Sequence, residues 1–455
     1  MTNKRSFFLF FSLLLLAAKA PAQDSLNMIR LARWDDDALP VNTGLQSQYS
    51  GCWGLTVNGR EIAVLGGALH VLFFDVTDPA RPKLIGKFAG NATTVVREYK
   101  SYKNRIYGIS DGITEGLMIF DLSQAPDTII RTYWSTEFFD RTHTITLDTV
   151  SGRIYLNGSN NTSNGVILLD ISKNPDKPTL ISKVNLEGGY VHDAYVRNDT
   201  FYVSSGYEGY YVFDFKDPLQ PKTLASISTA GYNHNSWLSR DGAYAYYTEE
   251  IPKGLPIKIV DLRQLTTMGE IEVVNSFVDP QVPGGVEPIP HNVYIRDQLL
   301  FDSQYEDGLL VYDLSVPTQP KLVARYDTHP ENTGYNGYYG CWGNYPWFPS
   351  GTIVAGDMQN GLQVLKLVSP LKTEGDLQVT VFPNPTQQTV TIQLAEPSET
   401  WSYRIFNAEG RLVKEGAYNW RLQADLDLGD LASGMYFLEI RAKEGAKTVR
   451  KLVVV

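Results

Sequence analysis

The chain has 455 residues, is rich in Tyr (27) and Gly (38), and carries a formal net charge of −10. That length allows several domains, that composition favours sheet over helix, and that acidity argues against a nucleic-acid partner, which needs a basic face. Two cysteines, Cys52 and Cys341, cannot staple a scaffold of this size, so its core must hold by packing.

Residues 1–22 read as a secretory signal peptide. Lys4 and Arg5 precede the apolar run from Phe7 to Ala18, long enough for a signal core and short for a membrane span. Small residues around Ala20-Pro21-Ala22 place the cleavage after Ala22. Removing this leader, which holds Lys4, Arg5 and Lys19 and no acid, leaves the mature chain more acidic still. No later stretch qualifies as a transmembrane segment.

From residue 23 to 368 one pattern recurs at roughly 40–50-residue intervals. An apolar run ends in Asp at Asp75, Asp121, Asp170, Asp214, Asp261 and Asp313, and a seventh copy, Leu362 to Lys366, ends in Lys. Several copies continue into Pro-x-x-Pro, as at Pro79 and Pro82 or Pro218 and Pro221. Each Asp is expected to close a turn on its own backbone, a structural role, with Pro fixing the start of the next strand. Four short strands per copy predict an all-β fold, a seven-bladed β-propeller. The seventh copy has only three strands, so Met28–Trp34 is expected to pair into the last blade and close the ring, leaving no bare edge.

After a linker at residues 369–376 the repeat stops. Residues 377–455 contain short alternating strands with turn signals between them, enough for a small β-sandwich. Phe382-Pro383-Asn384-Pro385, Asn407 to Arg411, Leu431 to Tyr436 and the Lys451-Leu-Val-Val tail make this segment resemble the type A sorting domain of the Bacteroidetes type IX secretion system. The resemblance implies the type IX secretion machinery as a partner and a secreted, extracellular or outer-membrane-surface location. The repeats resemble the LVIVD-repeat proteins and, more closely, the secreted choice-of-anchor B group. Cys-Trp-Gly at 52–54 and 341–343, His192-Asp193, His234-Asn235 and His291-Asn292 carry that likeness, with Tyr326 to Pro330 and Tyr345 to Gly351. It implies a propeller and a surface location, and brings no settled activity.

The position that opens each copy is the most informative. Aligned on the second-strand aromatic, these slots read Trp53, Arg97, His143, His192, His234, His291 and Trp342. Their successors are Gly54, Glu98, Thr144, Asp193, Asn235, Asn292 and Gly343. Four histidines thus collect at one mouth of the channel, under loops carrying Asp111 to Glu115, Tyr207-Glu208, Glu249-Glu250 and Tyr305-Glu306-Asp307. Because strand side chains alternate, either the slots or their successors face the axis, not both. In one reading each His hydrogen-bonds the backbone of a neighbouring blade. In the other, His143, His192, His234 and His291 ligate a divalent transition metal. Arg97 and Glu98 form either an internal salt bridge or an anchor for a carboxylate. Cys52 and Cys341, brought together by ring closure, form a candidate disulfide or two buried thiols.

The chain shows no Gly-x-Ser-x-Gly elbow, His-Glu-x-x-His, P-loop or dinucleotide fingerprint. The expectation is a binding or interaction module that uses the His-rich mouth, with Trp53, Arg97, Glu98, Asp193, Asn235, Asn292 and Trp342 as ligand-binding residues and a glycan, peptide or surface protein as partner. The alternative is a metal-dependent oxidoreductase or hydrolase at the same mouth.

Overall fold

A computed structural model describes residues 25–162, 165–279, 287–331, 334–335, 337–368, 377, 379–394, 398–408, 410–442 and 447–455. The expected leader, residues 1–22, and the expected linker, residues 369–376, lie outside the described residues. The fold is all-β, with one short helix among the described residues, Leu265–Met268, between two strands. No helix among the described residues is long and apolar enough to cross a membrane.

The repeats form seven antiparallel sheets, and none closes on itself. Their first strands are Tyr49–Val57, Val96–Tyr102, Thr144–Asp148, Asp193–Arg197, Asn233–Leu238, Asn292–Arg296 and Cys341–Tyr345. In each sheet the following strands lie side by side in chain order. Each first strand packs beside the first strand of the next sheet, and the seventh packs beside the first.

The six aspartates act as turn residues. Their carboxylates accept from the backbone N–H two residues on, from Thr77, Ser123, Ser172, Lys216, Arg263 and Ser315, at 2.7–3.0 Å. This fixes the direction of the third-to-fourth-strand connection without a cofactor or partner. Met28–Trp34 pairs antiparallel with Gly361–Leu367, giving the seventh sheet its fourth strand. The chain just before it also pairs: Ser25–Leu26 adds a fifth strand to the sixth sheet, opposite Tyr326 and Arg325. Asn27, at φ 48°, turns the chain from one sheet to the other.

The core lies between successive sheets. Tyr107, Ile109 and Ile119 of the second sheet pack on Ile145, Ile154 and Leu156 of the third, and Tyr155 and Leu168 of the third pack on Phe201 and Phe213 of the fourth. Side chains of this size contribute about 1.5–3 kcal/mol each when fully buried, so the sheets hold one another without disulfides.

The C-terminal residues make two further sheets. One contains Val379–Phe382, Thr389–Leu394 and Gln423–Asp427; the other contains Thr400–Phe406, Leu412–Asn419, Gly434–Ala442 and Lys447–Val454. Val390 and Ile392 of the first share a core with Trp401, Ile405, Leu438 and Ile440 of the second. Trp420 leaves this core and packs with Leu299 and Leu367 of the sixth and seventh sheets, beside a Lys366–Glu399 ion pair of 3.1 Å.

Candidate functional site

Strand pairing gives a common level around the seven sheets. Two residues before each turn Asp, or before Lys366, the third strand pairs with Val64, Tyr107, Tyr155, Tyr202, Tyr246, Phe301 and Val354. Opposite these, on the first strands, stand Trp53, Lys100, Thr146, Tyr195, Trp237, Tyr294 and Tyr345. Three residues earlier lie Ser50, Arg97, His143, His192, His234, His291 and Trp342. Six of the seven expected slots therefore share one level, and Trp53 does not. The first strand pairs in unbroken register from Cys52 to Val57, so Trp53 faces Val64, three residues deeper, and Ser50 takes the slot. The two Cys-Trp-Gly triplets look alike but occupy different levels.

The cysteines follow the same displacement. Cys52 pairs with Leu65 and Cys341 with Asp357, the end of its second strand. Both are free and buried, so the candidate disulfide gives way to two thiols. Cys52 Sγ lies 3.4 Å from the Gly343 carbonyl oxygen, and burial pushes its thiol up to about 12.

At the slot level the histidines link sheet to sheet. His192 Nδ1 bonds the His234 carbonyl at 2.8 Å, His234 Nδ1 the His291 carbonyl at 2.9 Å, and His291 Nδ1 the Trp342 carbonyl at 2.5 Å. His143, at the start of this series, instead bonds Asp111 through Nδ1 at 2.9 Å. Successive rings from His143 to His291 lie 4.3 Å apart by centroid, and Trp342 follows at 4.7 Å. A carbonyl or carboxylate oxygen only accepts, so each Nδ1 carries a proton, and the neutral rings of His192, His234 and His291 keep their lone pair on Nε2. Burial drives His192 and His291 well below the usual imidazole range, and lowers His234 against the opposing pull of Glu250 and Asp193.

In the second sheet the slot and its successor divide as alternation requires. Arg97 is fully buried and turns away from the shared space, donating to the Gly67 carbonyl and pairing with buried Glu115. Glu98 turns inward and accepts from Trp342 Nε1 at 2.8 Å, a bond from the seventh sheet to the second. Asn235 Nδ2 donates to Asp193 Oδ2 at 2.7 Å, and Asn292 lies buried at the same level. The expected Arg97–Glu98 pair is thus replaced by Arg97–Glu115, and burial raises the Glu98 carboxyl. His143, His192 and His291 precede their strands, so strand alternation does not bind them.

Of the rim residues, Glu250 lies 3.9 Å from His234 Nε2, and the Tyr305 ring lies 4.7 Å by centroid from the His291 ring, tilted against it. Tyr305 also donates its hydroxyl to Glu250 Oε1 at 2.8 Å. Among the described residues, one group has metal-binding atoms mutually within 4.8 Å: His234, Glu250 and His291. His143 and His192 are outside it. Sequence reasoning named Glu250 as a rim residue and missed it as a partner of two histidines.

The deeper level, which sequence reasoning left unread, is aromatic. Trp53 meets Tyr345 at 5.2 Å and Tyr294 at 5.7 Å, Trp237 meets Tyr294 at 5.2 Å and Tyr195 at 4.5 Å, and Trp347 joins from a loop. Lys100 Nζ lies over the Trp53 ring at 4.2 Å. Trp53, Lys100, Asp148, Tyr195, Arg197 and Trp237 line a recess of about 300 Å³ at this end.

Comparison with known proteins identifies the tail. Residues 380–455 match the family model of the secretion system C-terminal sorting domain. No curated protein matches the chain. The protein is secreted, extracellular or at the outer-membrane surface, and its tail engages the type IX secretion machinery.

The motif residues of the sorting domain have visible structural work. Asn384 accepts from the Val453 N–H at 2.9 Å and donates to the Lys451 carbonyl at 2.6 Å, joining the start of the domain to its last strand. Asn407 accepts from Arg411 N at 2.8 Å and closes the turn between two strands. Tyr436 ties its strand to the Ala432 carbonyl at 2.8 Å.

Proposed function

We propose that residues 23–368 form a seven-bladed β-propeller of LVIVD-like repeats, of the choice-of-anchor B kind, with Met28–Trp34 as the outer strand of the last blade. A cleaved signal peptide at 1–22 precedes it. A linker at 369–376 leads to a sorting sandwich at 377–455. The cyclic packing of the seven first strands supports this reading, as do the repeated Asp turns and the covered edge of the seventh sheet.

The propeller acts as an extracellular binding module. One observation carries this: five of the seven level positions, Trp53, Lys100, Thr146, Tyr195 and Trp237, line a single recess of about 300 Å³, and Tyr294 and Tyr345 pack edge-on against Trp53. Flat aromatic faces beside Lys100, Asp148 and Arg197 suit a sugar ring or a peptide side chain, which needs stacking and a few directed polar contacts. At the opposite end Arg97, Asp193, Asn235 and the histidines are engaged with neighbouring sheets, which favours the aromatic end for recognition. Glycan and peptide arrays probed with the full chain test this: selective binding that Trp237→Ala abolishes is expected, and an absence of selective binding would count against it.

A second reading, a metal-dependent oxidoreductase or hydrolase, is favoured by the grouping of His234, His291 and Glu250.

A further inference from the structure

We infer that His234, His291 and Glu250 bind a divalent transition ion of the zinc or iron(II) class, with His192 and His143 outside the ligand set. The site rests on the metal-dependent reading of the histidine end. It is independent of whether the aromatic end takes a glycan or a peptide.

The chemistry begins with the tautomers. His234 and His291 each commit Nδ1–H to a backbone carbonyl, which orients the ring and leaves the Nε2 lone pair free. Histidine ligands commonly need this second hydrogen bond to present the other nitrogen to a metal. His234 Nε2 then faces Glu250 Oε2 across 3.9 Å. Two lone pairs opposed at that distance repel, and a cation between them reverses the sign. A metal accepts both lone pairs while leaving the imidazole neutral.

The carboxylate is oriented as well. Tyr305 donates to Glu250 Oε1, leaving Oε2 turned to the histidine. The Glu250 backbone is tied to the Tyr232 carbonyl at 3.0 Å, and Tyr232 N bonds back to Ile251 O at 2.7 Å, so this loop is anchored on both sides of Glu250. Ligands about 2.0–2.2 Å from one ion stand roughly 3–4 Å apart. The three ligand atoms, within 4.8 Å, therefore need only a small contraction. Two imidazoles and one carboxylate match a zinc site with an open position or an iron(II) facial triad, and suit calcium poorly because hard cations take oxygen ligands.

Titration of the full-length chain with Zn²⁺ alone, followed by calorimetry, and with Co²⁺ alone, followed by its visible spectrum, tests the assignment. One equivalent is expected, with a cobalt spectrum of mixed nitrogen and oxygen ligation. Glu250→Gln, which keeps an acceptor for Tyr305, should weaken Zn²⁺ binding about tenfold or more. His234→Gln should do the same, while His70→Ala, remote from the site, should leave it unchanged. Each variant is first matched to wild type by circular dichroism and melting. Failure of the folded wild-type chain to bind either ion would overturn the site. So would binding that Glu250→Gln leaves intact, or that His143→Ala weakens equally. Array binding that persists in a metal-free chain would leave the recognition reading standing while the metal site fell.

Discussion

The two ends of the same seven strands are built on opposite plans. At the slot level, His192, His234 and His291 spend a ring nitrogen on the next sheet's carbonyl, and Arg97 is consumed by Glu115. Three residues on, Trp53, Tyr195, Trp237, Tyr294 and Tyr345 meet mainly each other, and Trp53, Tyr195 and Trp237 border a recess. Polar groups at the first level fasten sheets together; aromatic faces at the second keep their stacking capacity. A polar side chain that repeats around a fold is therefore a poor guide to recognition when its donors are already committed to backbone.

The largest effect expected from this contrast lies at Arg97. Both Arg97 and Glu115 are fully buried, so Arg97→Ala strands a carboxylate and should cost about 3–5 kcal/mol in urea unfolding of the full chain. A cost below about 1 kcal/mol would show that the slot level does not fasten the sheets. His291→Ala should cost less, about 1–3 kcal/mol, because it orphans the Trp342 carbonyl without leaving a charge. His291→Gln, which can still donate, should recover part of that loss.

Acid provides a finer test. His192, His234 and His291 have folded-state values below the ordinary imidazole value near 6.5, so the unfolded chain takes up protons first. Their contribution is present above about pH 6.5 and is lost as pH falls below it. Asp307, on the rim loop, works in the other direction. Burial raises its carboxyl to about 7, so the folded chain holds this proton and gains stability as pH falls from about 7 toward 4. Asp307→Asn removes the opposing contribution. Its unfolding free energy should drop more steeply than that of wild type between about pH 7 and pH 5. A shallower drop would contradict the assignment.

Much of this architecture can be read from the chain. The period, the six turn aspartates and the missing edge strand are local signals, because each residue acts on its own backbone or on its own strand pattern. The tail motif is local too, with Asn384 and Asn407 closing contacts that the fold requires. The level of Trp53 was not legible, because the Asn58-Gly59 turn follows it by five residues whereas the Ser350-Gly351 turn follows Trp342 by eight, although the Cys-Trp-Gly triplet is the same. The same offset sets Cys52 opposite Leu65 and Cys341 opposite Asp357. The Arg97–Glu115 pair depends on how a loop folds back, which strand alternation does not encode. By contrast, the aromatic level was open to reading in four repeats, at Tyr195, Trp237, Tyr294 and Tyr345, three residues beyond each slot. What hid it was the greater chemical distinctiveness of histidine.

The central claim is that recognition belongs to the aromatic end and fastening to the histidine end. Its most direct test is the affinity of one array-selected glycan or peptide for the wild-type chain, Trp237→Ala and His192→Gln, measured side by side. The account predicts a loss of about tenfold or more in Trp237→Ala and a change within about twofold in His192→Gln, whose amide can still reach the His234 carbonyl. Unchanged affinity in Trp237→Ala together with a large loss in His192→Gln would contradict it.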